Sequence, residues 1–383
     1  MRFRNTMRSV RDIPVLENIP VLVRAALNAE MENGVVSNTF RLRRALPTIE
    51  YLRKKHAKVI LIGHFGDNGT ETLEPVAHAL AALVPGLVFC PVSTGATARA
   101  MVRDLPPGGV LMLENLRRHA GEKTNDPMFA KELAELADLF VQDSFDVLHR
   151  PHASVIGVPR LLPSYAGLLV EEEVKELQQA LRPKSPSLAI MGGAKFSTKE
   201  PAIRKLLSIY DHVFVGGALG NDFIRALGHS VGSSLVSNVE SSVLKELIAN
   251  RRLVLPLDAV VAERGAPLAT ARISNLCDIA SDEAILDNGP RTVEHLGQLI
   301  NKAKTVLWNG PLGNYEEGYT KGTEALAAHI AGSRAYSIIG GGDTVAAVEE
   351  FGAMHYSFIS TGGGAMLEFI ANGTLPGLTA LAK

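Results

Sequence analysis

The stretch Ile338–Phe369 reads IIGGGDTVAAVEEFGAMHYSFISTGGGAMLEF. Two short apolar runs, Tyr336–Ile339 and Tyr356–Ile359, have the character of buried strands, and each leads into three glycines, Gly340–Gly342 and Gly362–Gly364. Segments with helical spacing follow at Thr344–Phe351 and Ala365–Ile370. Strand, glycine turn and helix, used twice in succession, suit an anion. Glycine lets the backbone approach a ligand closely, and the free N–H groups and positive dipole end of the following helix then face it. Asp343 and Thr344 stand directly after the first glycine run. A carboxylate at a phosphate site is tolerated when a divalent cation lies between them, which makes Asp343 a candidate Mg²⁺ ligand. The plainer reading of a glycine run is a tight turn in an α/β sheet. Two tandem runs, one carrying Asp-Thr, favour phosphate binding over it.

Outward from this stretch, the chain alternates strands and helices. In the first half the strand-like runs are Val21–Arg24, Lys58–Gly63, Leu87–Cys90, Gly109–Leu113 and Leu139–Gln142, separated by helical segments at Arg41–Lys55, Leu73–Leu83, Ala96–Asp104 and Pro127–Ala137. The alternation pauses around Val158–Pro163. A charged helical segment, Val170–Leu181, follows, and the pattern resumes with strands at Leu188–Met191, Val213–Val215, Leu253–Leu257 and Thr305–Trp308. The expected fold is α/β: two Rossmann-like, three-layer αβα domains with parallel sheets, facing each other across a hinged cleft. The expected division is 1–168 with 370–383 for one domain and 169–369 for the other, the second opening on a connecting helix near 170–181.

The 383 residues are enough for two cores, and 46% hydrophobic with 21% charged residues fits a globular protein. A formal net charge of −1 gives no global attraction to nucleic acid or membrane, so any anion site is local. Only Cys90 and Cys277 occur, in no metal-like spacing, which suits a reducing cytosol and a cytoplasmic location. The basic N-terminus lacks an apolar core for a secretory signal, and the most apolar window, Ala79–Val92, contains Pro85 and Gly86 and is too short to span a bilayer.

More glycine-rich strand ends lie in the second half. Gly192-Gly193-Ala194-Lys195 follows one strand, and Lys199 lies four residues on, on the same face if a helix starts there. Gly216-Gly217 and Asn309-Gly310-Pro311 end two others, with Glu316 shortly after. Neither a Walker pattern nor a dinucleotide fingerprint occurs. In the first half Arg24, Arg41, His64, Arg117, His149, Arg150 and His152 fall at or near strand ends, where ligands of parallel sheets collect. One half thus reads as a nucleotide-phosphate site and the other as a small-anion site.

These motifs resemble the phosphoglycerate kinase family nearly end to end. The resemblance is carried by VLVRAALN (Val21–Asn28), RLRRALPTIEYL (Arg41–Leu52), KVILIGHFG (Lys58–Gly66), LMLENLRRH (Leu111–His119) and VQDSFDVLHRPHAS (Val141–Ser154). It continues through LAIMGGAKFSTK (Leu188–Lys199), LDNGP (Leu286–Pro290), LWNGPLGNYE (Leu307–Glu316), IIGGGDT (Ile338–Thr344) and ISTGGGAMLEF (Ile359–Phe369). It implies a cytoplasmic, monomeric enzyme of glycolysis and gluconeogenesis, moving a phosphoryl group reversibly between 1,3-bisphosphoglycerate and ADP to give 3-phosphoglycerate and MgATP. It implies also that the C-terminal tail packs back on the first domain.

By the same resemblance Asn28, Arg41, His64, Gly66, Arg117 and Arg150 hold the phosphoglycerate, while Arg41 and Lys195 stabilise the group in transfer. Gly342 and Gly364 offer backbone donors at two helix starts. Lys199 holds a nucleotide phosphate. Gly193, Ala194, Gly216, Gly217 and Leu286 line the adenine slot, Asn309 and Pro311 flank the nucleotide and Glu316 binds the ribose. Gly341, Asp343 and Thr344 complete the phosphate end, with Asp343 on Mg²⁺. The chain departs from the family pattern at Ala26, where an acid is usual, and at Asp67, where S-H-L-G-R has arginine. Arg118 and Arg44 are placed to offset that change. The departures leave open a related kinase acting on another small carboxylate, or a nucleotide-binding protein without turnover.

Overall fold

The computed structural model describes residues 7–350 and 355–382, with no account of the side chains of residues 349 and 350. In chain order the strands are β1 (Pro20–Ala25), β2 (Glu30–Glu32), β3 (Val35–Asn38), β4 (Lys58–Ile62), β5 (Leu87–Cys90), β6 (Val110–Leu113), β7 (Leu139–Asp143), β8 (Ser164–Ala166), β9 (Ser187–Met191), β10 (His212–Val215), β11 (Leu253–Val254), β12 (Asp258–Glu263), β13 (Arg272–Asn275), β14 (Glu283–Asn288), β15 (Thr305–Asn309), β16 (Tyr336–Gly340) and β17 (Phe358–Ile359). The helices are α1 (Phe40–Lys54), α2 (Glu74–Ala81), α3 (Gly95–Asp104), α4 (Ala120–Lys123), α5 (Pro127–Ala134), α6 (Leu168–Ala180), α7 (Phe196–Ile209), α8 (Ala218–Ala226), α9 (Ser241–Ile248), α10 (Pro290–Lys302), α11 (Lys321–Ala331), α12 (Gly342–Glu350), α13 (Gly363–Asn372) and α14 (Pro376–Leu381). Short 3₁₀ and π turns connect several of them.

The chain forms two compact units, Met1–Lys175 with Thr374–Lys383, and Glu176–Gly373. The first is built on a parallel sheet of order β5-β6-β4-β1-β7-β8. Its central strands are apolar on both faces because helices cover both. Val21, Val23, Val59 and Leu61 pack on one side with Leu42 and Ile49 of α1 and Leu80 of α2. Leu22, Ile60 and Ile62 pack on the other with Val102 of α3 and Leu133 of α5. The second unit repeats the plan with a parallel sheet of order β11-β10-β9-β15-β16-β17. Leu188, Ile190, Val306 and Trp308 meet Leu296 and Ile300 of α10 and Leu326 of α11 on one face.

Two antiparallel pieces supplement the parallel plan expected from the sequence. A hairpin joins β2 to β3, and a three-stranded sheet of order β13-β12-β14 sits beside α10 in the second unit. β12 carries a register irregularity between Val260 and Val261, which breaks the alternation by which such strands are read. The strand expected over Leu253–Leu257 pairs only at Leu253 and Val254, since Pro256 has no N–H for a ladder. The run expected from Tyr356 pairs only at Phe358 and Ile359. The first helix of the opening stretch begins at Gly342, two residues before Thr344, and Phe351, its expected end, lies outside the described residues.

Candidate functional site

In both sheets the winding reverses beside the central strand, and ligands of open α/β sheets collect outside the carboxyl ends of strands at that point. In the second unit the reversal lies between β9 and β15. There two glycine-rich ends meet: the Gly192 N–H donates to the Asn309 carbonyl at 2.8 Å and the Gly193 N–H to the Pro311 carbonyl at 2.9 Å. A Cβ on Gly192 would stand 2.2 Å from the Pro311 carbonyl oxygen, so only glycine lets the two backbones approach this closely. The tandem runs of the opening stretch meet in the same way, for a Cβ on Gly363 would lie 2.9 Å from Gly341 Cα. The starts of α12 and α13 are therefore side by side, with Gly342 and Gly364 exposed.

A cavity of about 480 Å³ opens within this unit. Of the sequence-derived residues, Gly193, Ala194, Gly217, Leu286, Pro311, Glu316 and Asp343 line it. Gly216 lies beneath, buried, its N–H donating to the Met191 carbonyl at 2.9 Å. Asn309 is buried too, and its side-chain Nδ2 finds no hydrogen-bond partner among the described residues. Thr344 is fully buried and accepts from the Gly310 N–H at 2.7 Å, so its hydroxyl braces a strand end. Asp343 is exposed on the first turn of α12 and makes no hydrogen bond or ion pair among the described residues. One carboxylate beside helix-start N–H groups fits Mg²⁺, which takes few protein ligands and keeps waters and substrate phosphates for the rest.

The two lysines do not form the helical pair expected from their spacing. Lys195 is the residue before the first helical position of α7 and is exposed. Lys199 turns back to donate to the Gly192 carbonyl. Burial lowers its pKa to about 8, partly opposed by the carboxylate of Asp343. The ammonium is thus held at the glycine-rich strand end, with a weakened grip on its proton.

In the first unit five of the expected basic residues, Arg24, His64, Arg117, Arg150 and His152, converge. Arg24, at the end of β1, is fully buried and donates from Nε to Ser154 Oγ at 3.1 Å, from one terminal nitrogen to the Ala25 carbonyl at 2.8 Å, and from the other to His64 Nδ1 at 2.9 Å. Arginine has no acceptor, so Nδ1 of His64 accepts and the ring is neutral. Burial, then Arg24, Arg117 and Arg150, hold its pKa well below the ordinary value. His152 falls to about 4 by burial and the same arginines. Glu122 supplies the main countercharge nearby, fully buried and accepting from Ser154 Oγ at 2.6 Å and Ser154 N at 3.0 Å.

Arg117 is the exposed nerve of this cluster in chemical terms, although its side chain is only 1% accessible. One terminal nitrogen donates to the Gly66 carbonyl and to Asp67 Oδ1, the latter at 2.7 Å. Its Nε and its other terminal nitrogen have no partner among the described residues. Buried, unpartnered guanidinium N–H groups in a field of like charge call for an anion. Asn28 accepts from the Gly66 N–H at 3.1 Å through its side chain and from Arg41 at 2.7 Å through its carbonyl, so it positions two other residues. Arg150 is half-buried and acts on Arg117 and His152 through its charge. Arg44 and Arg118, expected to offset Asp67, are engaged by acids instead, Glu172 at 3.1 Å and Glu114 at 2.9 Å.

A family model described as phosphoglycerate kinase matches residues 10–373. The chain belongs to the phosphoglycerate kinase family. It is 43% identical to the phosphoglycerate kinase of Maricaulis maris (strain MCS10) over 379 residues, covering 94% of each chain. It is 41% identical to that of Pelotomaculum thermopropionicum over 388 residues, covering 98% of each. Among solved structures, the phosphoglycerate kinase from Pyrococcus horikoshii OT3 is similar with a TM-score of 0.88 at 30% identity, over 98% of both chains. That from Coxiella burnetii is similar with a TM-score of 0.81 at 36% identity, over 98% of this chain and all of the other.

The family's motifs account for the glycine runs, both lysines and the arginines. Sequence reasoning missed Glu122 and Ser154, the acid and hydroxyl that hold the cluster together. It also missed Asn221, Asp258 and Arg264 in the cavity wall. Glu122 carries no local signal: its partners Ser154 and Arg24 are far from it in sequence, and a glutamate on a four-residue helix reads as solvated. Arg264 sits beyond β12, in the antiparallel piece that the sequence pattern did not reveal. No helix among the described residues is long and apolar enough to cross a membrane.

Proposed function

We propose that this chain catalyses the family's reaction, reversible phosphoryl transfer between 1,3-bisphosphoglycerate and ADP to give 3-phosphoglycerate and ATP. The observation that carries the reading is that one continuous family match, residues 10–373, takes in both the cationic cluster and the glycine-lined cavity. Arg117, Arg150 and Arg41, with Asn28, His64 and Gly66, receive the phosphoglycerate. The cavity takes the nucleotide: Gly193, Ala194, Gly217 and Leu286 face the base, Pro311 flanks it, and Glu316 meets the ribose. Lys199 and the exposed N–H groups at Gly342 and Gly364 face phosphate oxygens.

Arg41 and Lys195 stabilise the group in transit, and Lys195 suits that task because its side chain is exposed at the start of α7 and makes no hydrogen bond or ion pair among the described residues. No covalent intermediate is needed, since positioning and charge stabilisation supply most of the rate in phosphoryl transfer. Mg²⁺, held by Asp343 and the nucleotide's phosphates, would neutralise charge developing on those oxygens. The acceptor is a carboxyl group, the work that of a soluble cytoplasmic monomer.

A coupled assay with MgATP and 3-phosphoglycerate tests the reading. The expected result is turnover that falls at least tenfold in Lys195→Ala and that needs a higher Mg²⁺ concentration for half-maximal rate in Asp343→Asn. No turnover in the intact chain defeats the assignment, and an unchanged Mg²⁺ dependence removes Asp343 from the metal.

A further inference from the structure

We infer that Asp67 is a specificity-determining residue: a built-in carboxylate that partly neutralises Arg117 and so keeps simple inorganic anions out of the cationic cluster. The inference rests on the anion-site reading of that cluster and refines it. Asp67 Oδ1 lies 2.7 Å from a terminal nitrogen of Arg117, and the pair joins unequal environments, the arginine side chain 1% exposed and the aspartate 84%. The Gly66 carbonyl accepts from that same nitrogen. The guanidinium edge formed by Nε and the second terminal nitrogen carries no partner among the described residues and is the edge on which a bidentate oxyanion fits.

Two roles are available to Asp67 and the geometry separates them. As an orienting bond it would be redundant, because the Gly66 carbonyl already holds that end of Arg117, and the segment is pinned further by Asn28 on the Gly66 N–H and by Lys123 on the Asp67 carbonyl. As a charge it is not redundant. Arg24, Arg150, His152 and Lys123 surround the site with cationic or neutral groups; Glu122 also acts on Arg117 through its charge but is hydrogen-bonded to Ser154, whereas Asp67 touches the guanidinium directly. An oxyanion on the open edge would lie about one guanidinium width from the Asp67 carboxylate, inside the Debye length, and is repelled in proportion to its own charge. A lone dianion bears that repulsion with a single anchoring group. An acceptor that carries a second anionic group gains further contacts to offset it.

The test measures equilibrium binding of sulfate and of acetate to the full chain by isothermal titration, for the native protein and for Asp67→Asn. Asp104→Asn, an exposed change of equal charge at the end of α3, paired among the described residues with Arg103 alone, is the control. The expected result is that Asp67→Asn tightens sulfate about tenfold and acetate about threefold, the ratio following ligand charge, and that the gain shrinks as ionic strength rises. Asp104→Asn leaves both unchanged. The same Asp67→Asn change lowers KM for 3-phosphoglycerate more than it alters kcat. Equal gains for both anions, no gain, or weaker sulfate binding overturn the inference, the last making Asp67 an orienting residue. Absence of turnover with 3-phosphoglycerate in the native chain defeats the proposed reaction and leaves the sulfate-to-acetate comparison standing. Because Asp67 is exposed, the variant's fold is checked by its unfolding midpoint, and Asp67→Ser repeats the measurement with a second neutral side chain.

Discussion

At the scale of single residues, burial sets the chemistry as much as residue type does. Lys199 has an ordinary lysine side chain, yet desolvation brings its pKa to about 8. A lysine with a lowered pKa carries its charge below that value and loses it above. Affinity for a polyphosphate in the free protein should therefore fall as pH rises through about 8, unlike that of a site built on ordinary lysines. Lys199→Arg keeps the positive charge at all working pH values. We expect kcat/KM for ATP in the native chain to decline on the alkaline side near pH 8 and the decline to move upward by more than a unit in Lys199→Arg. An identical alkaline limb in both would assign it to another group. The spacing of Lys195 and Lys199 was legible in the sequence. That one would be exposed before the helix and the other folded onto a carbonyl was not, because the helix start decides it and starts are set by a few backbone angles. The pairing of Arg117 with Asp67 was hidden for a different reason: it joins residues 50 apart through the third dimension.

At the scale of elements, the buried parallel strands were the most readable features, since the apolar runs Val21–Val23, Val59–Ile62, Leu188–Met191 and Val306–Trp308 are covered on both faces. The three-stranded antiparallel sheet was the least readable. One of its strands, β12, is irregular, and another, β13, is largely exposed, with Ile273 outward at 61% exposure. The last strand of this sheet, β14, carries Asp287, 3% exposed, whose carboxylate accepts from the Gly322 N–H at 2.8 Å at the start of α11 and from the Asn288 N–H at 2.8 Å. Those donors favour the ionised form, but burial outweighs them and raises the pKa to about 7. A carboxyl whose folded pKa is raised contributes stability that is complete below its unfolded value and is lost as pH climbs through the folded one. The second unit should accordingly lose stability between about pH 4 and pH 7, by up to a few kcal/mol from this residue. Asp287→Asn should flatten that slope, read as denaturant midpoints at pH 5 and pH 8. A slope equal to that of the native chain would exclude Asp287 as its source.

At the scale of the whole molecule, the alternation of strands and helices disclosed two α/β units, and the motifs pointed to the strand ends at which a site is proposed. The return of the C-terminal residues to the first unit came only with the family resemblance, because α14 is six residues long and has no pattern of its own. In the structure Gly377 donates to the Leu148 carbonyl at 2.9 Å, and a Cβ there would stand 2.5 Å from a Leu148 methyl. Deleting Thr374–Lys383 should therefore expose apolar surface around Leu148 and Val155 in the first unit and spare the second. We expect faster amide exchange across β7 and β8 in the truncated chain, with MgADP still protecting segments around Gly193 and Asp343. Protection lost equally in both units would mean that they unfold as one. The topology also bears on how the protein is born. The second unit is, in effect, a complete chapter inserted into an unfinished one: all of its residues, Glu176–Gly373, are synthesised before Thr374–Lys383, the segment that returns to the first unit. The unit begun first therefore cannot close until Thr374–Lys383 has been made, and a chain released before that segment carries every residue of the second unit joined to a first unit that lacks α14.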